Sequence, residues 1–485
     1  MSVTIQNINK AVLLCENSPW DGRIRGQDYL SFFLDKSSYL DRLHDVLGDR
    51  ESRETLEWMV RYRIARMYFP TERASELIPG PISLERWRHL TQIASEMKPQ
   101  VHNDYVMDRI ETWLLNGYEI KNIFEYKPSD VVIDGGAYTG NTSVYFSEKV
   151  GEAGLVLAFE PSLEVHKKLS RNVAQYKNIK TLQIALSNRE GRSNLKDIGP
   201  GSYVDPNGNE AISTDTIDNL LRKFWIKKVD VIKLDVEGEE EKCILGAKNT
   251  IKKCKPKLAI CIYHKVDDLF RIPRTLLAIN PNYSFYIRHN SYCEHETVIF
   301  CVPCSIALDI AFTNDQCILP QELTKTLQTS AMHQSLSGDL QYKEGNIETA
   351  LKFYNNALEI NTSSPYIAEK KFYALMSLKK NEEAINFLWS TAISMPNALN
   401  INILLIKMLL FLKKGEKALE IIKSININDP SQTWYVRYLE AKAYFELGNI
   451  DSSATSLRLS IDASKELTDM QAELLQNIKK RRGSA

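Results

Sequence analysis

The stretch 131–161, VVIDGGAYTGNTSVYFSEKVGEAGLVLAFEP, constrains this chain more than any other. Val131, Val132 and Ile133 open it and read as a strand buried on both faces. Asp134 closes that strand, and Gly135, Gly136 and Gly140 crowd into a short turn. Asn141 or Thr142 can cap a helix that starts at once. A second apolar run, Leu155–Phe159, ends in Glu160 and Pro161. Glycines permit the turn and let backbone approach a ligand. The helix N-terminus offers free N–H groups to an anion. An acid ending the second strand can accept both hydroxyls of a ribose. The unit therefore suits a nucleoside joined to an anionic group. The spacing Asp134-x-Gly136-x-x-x-Gly140 is not that of a dinucleotide site, and no Lys-Ser or Lys-Thr follows to make a P-loop.

At 485 residues the chain exceeds one ordinary domain, and two or three are expected. Lys+Arg and Asp+Glu are equal at 61 each, which gives no argument for a nucleic-acid partner or a membrane surface. The first residues show no signal-peptide pattern. The most apolar run, INILLIKMLLFL, is broken by Lys407 and too short for a membrane span. Eight scattered cysteines suit a reducing cytoplasm. Cys301 and Cys304 form a CxxC, but with Cys293, His295 and Cys317 as the near candidates the spacing matches no zinc finger, so no metal is assigned.

Residues 1–124 read as a helical segment. ESRETLEWMVRYRIARMYF has a broad apolar face, and SLERWRHL opens with Ser83 as N-cap. This segment could cap an active site or support a homodimer. From 125 to 303, strands and helices alternate, which implies an α/β domain with a parallel sheet covered by helices. KTLQIAL, VDVIKLD and PKLAICIYH read as strands, and EEEKCILGAKNTIKK as one helix. YSFYIRH and ETVIFCV close the domain without a helix between them, so an antiparallel strand is expected at one edge.

The Asp134 and glycine pattern resembles motif I of class I S-adenosylmethionine (SAM) methyltransferases. The ordered set DVVIDGGAYTGNTSVYF, AFEPS, VIKLDVEGEE, CIYHKVDDLFRIP, NPNYSFYIRH and ETVIF is similar to the FkbM family of such enzymes. The resemblance implies a class I methyltransferase (Rossmann-like) sheet, SAM as cofactor, and methyl transfer to a hydroxyl of a sugar, glycan or related small molecule. It carries cofactor binding to Asp134, Gly136, Tyr138, Gly140, Asn141 and Glu160. Glu239 departs from the family, which has an apolar or small residue there.

Ligands of open α/β sheets sit beyond the carboxyl ends of the strands. Asp134, Glu160, Asp235 and His264 all end apolar runs, so one crevice is expected to collect them. Transfer to a hydroxyl needs a group to take its proton. His264 is the preferred base because imidazole titrates near neutral pH. Asp235 and Glu237 would orient the acceptor or the base, and the same cluster held around a divalent metal is a second reading. Tyr263, Arg288 and His289 could line the acceptor pocket.

After a linker at 304–330, residues 331–485 repeat. Ala350, Ala384 and Ala418 recur every 34 residues (384 − 350 and 418 − 384). The pattern resembles tetratricopeptide helix pairs, which stack into a solenoid able to hold a protein partner. The competing reading of the whole chain is a non-catalytic SAM-binding scaffold built around these repeats.

Overall fold

The computed structural model describes residues 2–18, 25, 28–102, 105–196, 201–305, 321–425, 430–464 and 467–482. Most of the expected linker, 306–320, lies outside them, as does Cys317. The chain forms two compact units, Met1–Cys15 with Arg25–Leu323, and Glu16–Ile24 with Thr324–Ala485.

Among the described residues the first unit contains eleven strands: β1 Val131–Gly135, β2 Leu155–Phe159, β3 Ile179–Leu182, β4 Ala185–Leu186, β5 Gly191–Lys196, β6 Tyr203–Val204, β7 Glu210–Asp215, β8 Val231–Leu234, β9 Lys257–Cys261, β10 Tyr283–His289 and β11 Thr297–Pro303. Seven make one sheet in the order β10-β11-β9-β8-β1-β2-β3. β1, β2, β3, β8 and β9 run parallel, and β11 runs against both β9 and β10. The antiparallel strand is therefore second from the edge, not at the edge as its position in the sequence implied. Burial explains this. The apolar run of β11 is buried throughout its first five residues, as an interior strand requires, whereas β10 alternates.

The edge strand β10 is covered by the N-terminal segment. Ser52 Oγ accepts from Ile287 N–H at 3.0 Å, and Gly48 N–H donates to Phe285 O at 2.8 Å. Arg288 pairs with Asp49 at 2.5 Å. The helix Arg50–Tyr68 thus protects an edge that would otherwise present unpaired backbone.

Several local expectations change. KTLQIAL is not one strand; it divides into β3 and β4, and β4 belongs to a second sheet, β4-β7-β5-β6. The helix expected over EEEKCILGAKNTIKK breaks at Ala247 into Glu240–Gly246 and Lys248–Cys254. A Cβ at Gly246 would lie 2.0 Å from Ser187 O, so the break coincides with close backbone approach. The helix Asn141–Val150 is capped by neither Asn141 nor Thr142; Gly140, at φ 103, is its N-cap. Gly136 is needed by the sheet itself, because at φ 74 its Cβ would sit 1.8 Å from Asp235 O.

One ion pair ties this centre together. Asp134 and Lys233 face each other in register on β1 and β8, with Nζ–Oδ1 3.1 Å and exposures of 0% and 1%. Lys233 Nζ also donates to Gly135 O at 3.2 Å and Gly136 O at 2.8 Å. Asp134 Oδ2 accepts from Thr142 Oγ1 at 2.8 Å and Ser143 Oγ at 2.6 Å. Burial opposes the charge on Lys233, but Asp134 and Asp235 raise its pKa above the ordinary value.

The second unit is helical. Ala331–Lys343 is followed by Ile347–Ile360, Pro365–Ser377 by Asn381–Ser394, Leu399–Phe411 by Gly415–Ser424, and Pro430–Glu446 by Ile450–Ser464, with Asp469–Arg482 last. Ala350, Ala384 and Ala418 occupy the same place in three successive second helices and are fully buried. A Cβ at Gly338 would lie 2.6 Å from the Tyr354 ring, so a small residue there sets how closely the first two helices approach.

Lys233→Met leaves Asp134 buried without its counter-ion and should destabilise the fold by about 3–5 kcal/mol. Adding Asp134→Asn should recover part of that loss. Urea unfolding of the two variants against wild type measures both.

Candidate active site

A cavity of about 1170 Å³ opens beyond the carboxyl ends of the parallel strands. Gly136, Tyr138, Asn141 and Glu160 line one side, and Asp235, Glu237, Tyr263 and His264 line another. Tyr105, Glu111 and Tyr118 reach in from the N-terminal segment. Asp134 is not on the wall. It lies beneath, holding Lys233 and the first turn of the helix Asn141–Val150.

The turn is braced by that N-terminal segment. The Tyr138 and Tyr105 rings stack at 6.0 Å with their hydroxyls 3.3 Å apart. Asn141 donates to Asp108 O at 3.1 Å and accepts from the Trp113 indole at 2.9 Å. Gly140 has Leu169 and Val173 side chains 2.9 Å from where a Cβ would be. Glu160 accepts from Ser162 N–H at 2.9 Å. Burial raises its carboxyl to about 7, against the opposing pull of the Ser162 and Tyr138 amides and Lys233.

On the other side, three carboxylates surround one imidazole. β9 ends at Cys261, and His264 stands three residues beyond it. Its Nε2 is 3.3 Å from Glu237 Oε2 and 3.5 Å from Asp235 Oδ1, and its Nδ1 is 2.9 Å from Glu240 Oε1. Glu240 is buried, and the same oxygen accepts from Val236 N–H at 2.9 Å. Burial works against a charged ring, but Glu240, Asp235 and Glu237 together raise His264 to about 10. The three carboxylates thus favour the protonated form of the ring. Burial lifts Glu237 to about 7, with Asp235 and Glu240 adding to the rise and His264 opposing it. Burial acts on Asp235 in the same sense, but Lys233 and His264 hold its carboxyl below the usual range.

Donor atoms of Asp235, Glu240 and His264 lie within 4.8 Å of one another, a set that could hold a divalent cation. A ring protonated on both nitrogens has no lone pair to offer, so the proton and an ion would compete for this place.

Tyr263 lines the cavity; its hydroxyl lies 3.1 Å from Asp235 Oδ1 and 3.0 Å from Glu296 Oε1, with one proton to donate between them. Arg288 and His289 do not line it. Arg288 is engaged with Asp49, and His289 lies buried against Trp58, ring centroids 4.2 Å apart. Glu240, Glu296, Glu111 and Tyr118 join the site without having been singled out. Burial, reinforced by Asp235, pushes Glu296 up to about 8, and burial with Glu296 raises Glu111 well above the ordinary carboxylate range. Glu240 was visible in VEGEE; nothing local in the sequence marks Tyr118 or Glu111.

The chain is similar to a 2-O-methyltransferase, NoeI, of Sinorhizobium fredii, at 23% identity over 151 residues, which is 27% of this chain and 62% of that protein. It is also similar to the crystal structure of methyltransferase FkbM from Methylobacillus flagellatus KT. There the identity is 18%, the TM-score 0.41, and the overlap covers 57% of this chain and 61% of that one. Fibrillarin of Aeropyrum pernix, solved with natively bound S-adenosyl-L-methionine, matches at 14% identity and TM-score 0.28, over 39% of this chain and 74% of that one. The chain thus spans less than two thirds of the length of the first two relatives. Residues 134–285 match the family model described as the methyltransferase FkbM domain.

Proposed function

We propose that this chain is a SAM-dependent O-methyltransferase acting on a hydroxyl of a sugar, glycan or related metabolite. The observation that carries the proposal is a single cavity with a turn-and-acid set, Gly136 to Glu160, facing an acid–imidazolium cluster. The family match over 134–285 supports the same reading. SAM fits the donor set. Glu160 has its carboxylate on the cavity with Ser162 and Tyr138 amides behind it, ready to accept ribose hydroxyls. The first turn of the helix Asn141–Val150 offers N–H groups to a carboxylate.

When bound, SAM supplies an electrophilic methyl group. The chain's own part is to hold the acceptor oxygen in line and to take its proton. Asp235 and Tyr263 are placed to hold the hydroxyl. Glu237, raised to about 7, is the group tuned to accept the proton near neutrality. His264 is then a positioning residue: its imidazolium keeps Asp235, Glu237 and Glu240 together and offsets their repulsion. We assign the base to Glu237 in place of His264, because the surrounding carboxylates favour a ring that already holds its proton.

The repeats in 331–485 are proposed to hold a protein partner or an acceptor-bearing protein. The scaffold reading would be favoured by SAM binding with no methyl transfer to any acceptor.

Glu160 binds ribose hydroxyls as a carboxylate, and its pKa is raised, so SAM affinity should rise as pH increases from 6 to 8 through about 7. Glu160→Gln should bind more weakly and show a flat profile over the same range. Calorimetric titration at each pH reads both; a wild-type profile in the variant would remove Glu160 from the cofactor site.

Glu237→Gln should slow methyl transfer by roughly 10²–10⁴-fold with SAM affinity retained. The wild-type rate should increase through about pH 7, as the Glu237 carboxyl ionises. Activity should survive chelator. Loss on chelation with recovery on adding a divalent ion would instead place a metal among Asp235, Glu240 and His264.

Crosslinking mass spectrometry of the full chain in its host should map a second protein onto 331–485. Crosslinks confined to copies of this chain would make the repeats a dimerising element.

A further inference from the structure

The amino-terminal ends of β8 and β9 carry a basic surface with exposed aromatic rings. Two segments meet there: 222–228, RKFWIKK, leaving the helix Ile217–Lys223, and 248–257, KNTIKKCKPK, containing the helix Lys248–Cys254. Cys254 Sγ donates to Lys227 O at 3.7 Å, and Asp218 on the first helix accepts from Asn249 and Thr250 N–H at 2.8 Å each. Neither segment contains an acidic residue, in a chain whose basic and acidic residues balance at 61 each. Lys227, Lys228, Lys252, Lys253 and Lys255 are all exposed. Of these five, Lys228 alone has an acidic partner among the described residues, Asp230 at 2.6 Å.

Two aromatic rings stand among these lysines. Trp225 is 86% exposed and Phe224 47%. Trp225 has φ 58, a left-handed conformation that a bulky residue rarely adopts. The packing of the domain gives this indole no cover, and the backbone beneath it is strained.

We propose that this surface docks on a membrane leaflet containing anionic lipid, with Trp225 and Phe224 entering the interface and the lysines facing the headgroups. Indole and phenyl rings partition to the headgroup level, and lysine stems can lie along apolar surface while their ammonium groups reach the phosphates. The attraction of a lysine cluster to an anionic leaflet falls off within a Debye length, about 10 Å at 0.1 M salt. Duplex nucleic acid offers similar charge, but takes up a protruding ring only by unstacking its bases, so the exposed rings favour lipid. Among the described residues no helix is long and apolar enough to cross a membrane, so this attachment would be peripheral. The patch lies at the opposite ends of β8 and β9 from Asp235 and His264, which leaves the cavity facing away from the bilayer.

Sedimentation of the full chain with phosphatidylcholine vesicles, with and without phosphatidylserine, tests this. Binding is expected only with phosphatidylserine and should be lost at high salt. Trp225→Ser, and separately Lys252→Glu with Lys253→Glu, should each weaken it by at least about tenfold while leaving SAM titration unchanged. Equal binding to neutral vesicles, no binding to either, or undiminished binding by the variants would overturn the proposal. Tighter binding to a duplex oligonucleotide than to the vesicles would also overturn it and give the patch to nucleic acid.

Discussion

The ion pair between Asp134 and Lys233 is the interaction on which the first unit depends. It joins the two central strands at the level where the chain leaves the sheet. From there Lys233 fixes the carbonyls of Gly135 and Gly136, and Asp134 fixes the hydroxyls of Thr142 and Ser143. One buried pair therefore sets both ends of the turn that forms the cavity wall. Its charge is felt further out as well. Lys233 is among the groups holding Asp235 ionised and easing the burial of Glu160. A buried pair of this kind is weak evidence for net stability; here its consequence is geometric and electrostatic order at the site.

The second organising element is the N-terminal segment. Its long helix covers β10, and residues 105–118 brace Tyr138 and Asn141 and bring Tyr118 to 3.5 Å from Asp235. The packing around this cavity leaves Glu111, Asp235 and Glu296 half-buried on its wall. Desolvation is the first cause of the raised carboxyls Glu111 and Glu296, while Lys233 and His264 overcome it at Asp235.

Much of this was legible in the sequence. Three β-branched residues, a glycine turn and a terminal acid specify β1, the turn and β2 because each is a local demand on backbone and burial. The order of β10 and β11 was not legible, because only the buried pattern of β11 beside the alternating one of β10 puts β11 inside the sheet. The second sheet was not legible, because its strands are short and β5, GRSNLK, has a mostly polar, exposed pattern. Lys233 was a neglected signal: a charged residue inside VIKL has to find a buried partner. The charge state of His264 could not be read locally. It depends on Asp235, Glu237 and Glu240, which the end of β8 carries to a histidine beyond β9. Asp134 was assigned to the ligand because the acid before the glycines fits a binding motif; in the structure the same residue supports the wall from beneath.

Mass spectrometry of candidate glycan acceptors after incubation with the full chain and methyl-labelled SAM is the most direct test of methyl transfer to oxygen. A labelled methyl group on a sugar hydroxyl, absent when Glu237→Gln replaces wild type, is the expected result. SAM bound at the cavity with no label on any acceptor, or label found on nitrogen or carbon, would contradict it.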